Sequence, residues 1–90
     1  MGVIRVHGTL SCAPEEAAEI RAALAEHIRL SRAEPGCLEF EVSETAPGVF
    51  ALSEAFRDRA AFEAHQRRAR ASAWGRRSAH LRRELSTSEE

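Results

Sequence analysis

From Val3 to Cys12 the residues alternate, with Ile4, Val6, Gly8 and Leu10 on one side and Val3, Arg5, His7 and Thr9 on the other. A period of two is that of a strand. In "SCAPEEAAEI", Pro14 suits the first turn of a helix and Glu15 and Glu16 complement its positive end, so a helix is predicted to about Ala33. Within it Ala17, Ile20, Leu24, Ile28 and Ser31 recur at helical spacing, opposite Glu19, Glu26 and Arg29. His27 flanks that stripe, where a histidine is expected to be solvated while still bordering any pocket above the sheet. Pro35 and Gly36 end the helix. Leu38, Phe40 and Val42 then alternate with Glu39, Glu41 and Ser43, and the "TAPG" turn at Thr45 to Gly48 leads into a third strand, Val49 to Arg57, paired with the second as a hairpin.

Asp58 is a good N-cap, and "RAAFEAHQ" predicts a short helix that turns Phe62, His65 and Gln66 to one side. "RRARAS" is expected to interrupt it, and Ser72 to cap a further helix with Trp74, Ser78, Leu81 and Leu85 on one face. The closing "RELSTSEE" reads either as a short edge strand or as a frayed tail. This order predicts one α+β domain over residues 1–90: a ferredoxin-like split βαβ antiparallel sheet with helices on one face. The helices need the apolar sheet face, which carries Ile4, Val6, Leu10, Leu38, Phe40, Val42, Phe50, Leu52 and Phe56. Glu54 falls in the same alternation, a carboxylate where a core residue is due.

The opposite sheet face, with Val3, His7, Thr9, Cys37, Glu39, Val49, Ala51 and Ala55, is too mixed for a core and too apolar to stay wholly wet. A chain of 90 residues buries only about 60 to 70% of its unfolded surface. Both observations favour a homodimer with two sheets packed face to face. His7 belongs to that interface and His80 to the surface.

Composition narrows the function classes. Cys12 and Cys37 lack metal-ligand spacing, so free thiols are expected and no metal site. No stretch approaches a membrane span, and the start lacks a basic region followed by a long apolar run, so no membrane partner and a cytoplasmic location are expected. Basic residues, all arginine, crowd the second half, but no aromatics interleave to stack bases; a solvated helix face is expected, with no nucleic-acid partner.

Taken together, "SRAEPGCLEFEV", "LSEAFRD" and "AAFEAHQ", in this order and spacing, resemble the antibiotic biosynthesis monooxygenase (ABM) domain family, whose members are dimeric α+β barrels and include quinol monooxygenases that need no flavin or metal. The resemblance spans nearly the whole chain. It implies that Glu54 is the family's strand glutamate, that His65 is the histidine of its "EAH", that Phe56 stands where a tryptophan is common, and that Trp74 matches a following aromatic. The chain has neither Asn nor Tyr, so mechanisms that use those side chains do not transfer.

A buried carboxylate needs a partner, and the nearest candidate for Glu54 is His65, directly or through one water. Such a pair can take a proton from a substrate hydroxyl. The expected site therefore has His65 and Glu54 as catalytic residues, with Trp74, Phe56, Phe40 and His27 binding substrate. The expected activity, as the resemblance implies, is cofactor-independent oxidation of a quinol or anthrone-like phenol by dioxygen. A non-catalytic small-molecule binding module and a haem-handling protein with His65 as axial ligand are the alternatives. Ser31 lacks a base and acid in reach, which argues against a serine hydrolase.

Overall fold

The computed structural model describes residues 2–90; Met1, where the reading of the chain's start begins, lies outside the described residues. The elements are β1 (Ile4–Ser11), a 3-10 turn (Pro14–Glu16), α1 (Ala17–Arg32), β2 (Cys37–Ala46), β3 (Val49–Phe56), α2 (Arg59–Ala71), α3 (Ala73–Arg77) and β4 (Arg82–Glu89). The strands form one antiparallel sheet in the order β2-β3-β1-β4, a ferredoxin-like α+β fold. "RELSTSEE" is thus an edge strand, paired along β1 with Gly8 opposite Leu85. Gly8 sits at φ 146°, and a Cβ there would collide with the Glu84 carbonyl. Only glycine lets the last strand close on the first at this point.

Alternation works as expected along β1 and β3, whose helix-facing residues Ile4, Val6, Leu10, Phe50, Leu52 and Phe56 are all buried. In β2 it fails at one residue. A bulge lies between Cys37 and Glu39, which pair with the consecutive residues Phe56 and Ala55, so Leu38 is the extra residue, 59% exposed. Cys37 takes the inner position instead, packed beside Ile4, Phe40 and Phe56. It was expected on the opposite face.

The buried side of α1 is Ala17, Ile20, Leu24, His27 and Ser31, so the stripe runs through His27, whereas Ile28 is only partly buried. At 3.6 residues per turn, position 27 lies about 40° from the centre of that stripe and position 28 about 60°. The expectation of a solvated His27 is therefore overturned.

Asp58 accepts a hydrogen bond from the Ala61 N–H at 2.8 Å and starts α2. The helix is not interrupted at "RRARAS" but runs on to Ala71, because arginine is a good helix former and its charge suits the negative end of the dipole. The break comes at Ser72, whose extended backbone ends α2 and whose Oγ accepts from the Gly75 N–H at 3.2 Å to start α3. Trp74, Ser78 and Leu81 point inward, but Leu85 belongs to β4 and is 41% exposed. It does not share their helical face. All of β4 is exposed, so its inner side is left as the wall of an open cavity.

Replacing Asp58 with alanine removes the α2 cap and is expected to cost about 1 kcal/mol. A calorimetric scan should register a midpoint lower by about 4–8 °C for a domain of this size; an unchanged midpoint would mean that packing alone sets where α2 begins.

Candidate active site

The alternation of β3 turns Glu54 toward the helices, between Val6 on β1 and Phe40 on β2. Glu54 is 7% exposed and His65, on the inner side of α2, is 6% exposed. His65 Nε2 lies 3.9 Å from Glu54 Oε1, an approach too long for a hydrogen bond. Of the two contacts expected from sequence, direct or through one water, the direct hydrogen bond is not made. His65 Nδ1 instead meets Glu34 Oε1 at 2.8 Å, while Glu34 Oε2 accepts from Arg68 Nε at 2.9 Å and Arg68 Nη2 donates to Ser31 Oγ at 2.9 Å. Glu34 is therefore the carboxylate that orients the imidazole.

The sequence did carry a signal for Glu34. Residues 27, 31 and 34 continue one helical stripe, but Glu34 lies just past the last turn, beside the Pro35 and Gly36 that end the helix. Arg68 was missed because the helix carrying it was expected to have ended.

With Nδ1–H donated to Glu34, the Nε2 lone pair of His65 faces Glu54. Burial pushes the His65 pKa down, although the Glu34 hydrogen bond and charge oppose it. Burial, reinforced by the nearby Glu34 charge, raises Glu54 to about 7. Near neutrality Glu54 is thus partly protonated, and a closure of about 1 Å would let its proton bridge to Nε2. Such a pair is poised to exchange a proton with a ligand.

Around the pair is a cavity of about 220 Å³, lined by Glu54, His65, Phe40, His27 and Trp74 among others. His27 stacks on Trp74 with ring centroids 5.2 Å apart and planes at 16°, and meets Phe40 edge-on at 5.3 Å and 81°. Burial holds His27 far down, at about 3, with the His65 and Arg68 charges adding to the effect. It is a neutral aromatic wall at working pH. Phe56 does not line the cavity: it is fully buried behind His65, ring centroids 4.7 Å apart, where it supports the imidazole. Of the expected substrate-binding residues, Trp74, Phe40 and His27 reach the cavity and Phe56 does not. His7 is exposed, and His80 is a surface residue whose Nε2 meets Glu16 at 3.1 Å.

With this geometry in view, the relatives are informative. The family model described as antibiotic biosynthesis monooxygenase matches residues 3–77, and the chain belongs to that family. Solved structures agree in fold. Rv0793 from Mycobacterium tuberculosis is 24% identical, with a TM-score of 0.81 over 98% of this chain and 94% of its own. Proteins from Deinococcus radiodurans and Caulobacter crescentus that carry the family's name are each 27% identical, with TM-scores of 0.77 and 0.76; they cover 97% and 99% of this chain, and 91% and 90% of theirs are matched. No curated protein matches the chain. Among the described residues, no helix is long and apolar enough to cross a membrane.

Folded Glu54 holds its proton more tightly than the unfolded chain does, so its stabilising contribution is complete below about pH 4.5 and is lost as pH rises through about 7. Glu54→Gln removes the ionisation. The variant is expected to be more stable than wild type at pH 8, by on the order of 3 kcal/mol at full ionisation, and the two should converge by about pH 4. Urea midpoints for both proteins across that range check this; a constant difference would mean that Glu54 titrates normally.

Proposed function

We propose that this chain is a monooxygenase that uses dioxygen on a small phenolic substrate, a two-ring quinol fitting the cavity better than a three-ring anthrone. The observation that carries the reading is a buried carboxylate with no hydrogen bond among the described residues, facing the free nitrogen of an oriented imidazole across an aromatic-walled cavity. At about 220 Å³ the space is smaller than the roughly 300–1,000 Å³ of drug-sized sites. Family membership over residues 3–77 supports the reaction class.

In this reading the His65 and Glu54 pair removes the proton of the substrate hydroxyl. The resulting phenolate pushes an electron pair onto a ring C–H carbon, which forms a C–O bond to dioxygen. The hydroperoxide loses water and the ring carbon is left as a carbonyl that tautomerises. The balance is quinol plus dioxygen giving hydroxyquinone plus water, one oxygen atom in each product, with the substrate supplying all the electrons. Trp74, Phe40 and His27 hold the ring, which fixes the hydroxyl against the pair. Glu34 is a positioning residue that acts through His65.

The haem-handling alternative is disfavoured by geometry. An axial ligand needs an open nitrogen, and Nδ1 of His65 is engaged by Glu34 while Nε2 faces a carboxylate at 3.9 Å. We also propose a homodimer with the open faces of two sheets packed together, leaving the helices and the cavity outside the interface. Sizing should then give twice the 9.9 kDa of one chain; a monomer at micromolar concentration contradicts it.

Oxygen uptake with a panel of naphthalene and benzene quinols tests the activity. His65→Ala is expected to lose about 10²- to 10⁴-fold in kcat/KM, the usual worth of an acid–base group, with circular dichroism unchanged. Equal rates in both proteins would contradict the assignment, and binding without uptake by wild type would favour a binding module.

A further inference from the structure

Nine of the 13 basic side chains, all of them arginines, have a carboxylate partner. Among the described residues, Arg67, Arg70, Arg76 and Arg83 have none within 4.0 Å. Two of these four, Arg70 and Arg83, line the cavity together with Gln66. Among the described residues, the Arg70 side chain makes no hydrogen bond. Arg83 donates from Nη1 to the Ser78 carbonyl at 2.8 Å and the Leu81 carbonyl at 3.4 Å, and from Nη2 to Ser78 Oγ at 3.0 Å. Every one of those acceptors is neutral, so the charge of Arg83 stays uncompensated.

The sheet register separates these cations from the acid–base pair. Glu54 stands opposite Val6 of β1, and Arg83 opposite Leu10 of the same strand. Four residues of strand are about 13 Å. On α2, Arg70 lies five residues beyond His65, about 7.5 Å along the helix axis. The cavity therefore has a proton-accepting end, an aromatic wall and a cationic end. An anion placed beside Glu54 would meet its carboxylate, whereas one at the far end meets two guanidinium groups, whose forks match a carboxylate.

We propose that the ligand is a hydroxyaromatic acid: its hydroxyl meets Glu54 and His65, and a carboxylate at the opposite end of the ring system is held by Arg70 and Arg83. This deepens the proposed function and rests on the cavity being a phenol site. The two arginines are partly in water, so the contribution is moderate and falls with salt.

Titration calorimetry at low ionic strength tests it with three rigid probes: 2-naphthol, 6-hydroxy-2-naphthoate with its groups at opposite ends, and 3-hydroxy-2-naphthoate with them adjacent. Wild type is expected to bind the 6-hydroxy acid about tenfold more tightly than 2-naphthol, as a charge-assisted contact would give, and to favour the 3-hydroxy acid less. In Arg70→Gln, whose side chain holds nothing else in place, the ratio between 6-hydroxy acid and 2-naphthol should fall toward one. Equal affinities in wild type, a ratio unaffected by Arg70→Gln, or no preference between the two acids would each overturn the inference. Binding of 2-naphthol with a ratio of one overturns only the carboxylate, leaving the phenol site intact; no binding of any probe overturns both.

Discussion

A carboxylate held almost wholly out of water, with no hydrogen bond to compensate, costs several kcal/mol if charged, and among the described residues Glu54 is such a group. Much of the surrounding architecture bears on that group. The register of β3 aims it at the helices, Val6 and Phe40 flank it on the neighbouring strands, and the His65 imidazole lies 3.9 Å away. Burial alone would push its pKa up, and the Glu34 charge pushes in the same direction. The result is a carboxyl that titrates where a proton can be taken or given near neutral pH.

The charge that adjusts this pair is assembled from three elements that are far apart in sequence. Ser31 lies in the last turn of α1, Glu34 sits in the connection to β2, and His65 and Arg68 lie one turn apart on α2. Arg68 donates to Glu34 and to Ser31, which holds in place the carboxylate that orients His65. The same hydrogen bonds lock α2 onto α1, which is how a structural clamp also sets the tautomer at a site. His27 contributes differently: its burial, with the His65 and Arg68 charges, keeps it neutral, and stacked on Trp74 it shapes the cavity.

What the sequence made legible was periodic. Strand alternation placed Glu54 inward and helix spacing placed His65 toward it, and the family resemblance rested on the same stretches. What it concealed was local geometry. The bulge that ejects Leu38 leaves no mark in the alternation of Leu38, Phe40 and Val42. Choosing His27 over Ile28 turns on some 20° of helix rotation, which a three-and-four spacing rule does not resolve. The hydrogen bond from His65 went to Glu34 because a residue just past a helix end can still reach across to a neighbouring helix. Arg70 and Arg83 were visible only as members of an arginine-rich half, since their lack of acidic partners is a property of the folded surface.

Infrared difference spectroscopy of wild type against Glu54→Gln reads the Glu54 proton in the ligand-free protein. One carboxylic-acid carbonyl band, absent from the variant, is expected to persist above pH 5 and fade near pH 7. A band that disappears with the ordinary carboxylates at about pH 4.5 would contradict that expectation, and would make Glu54 an ionised structural group.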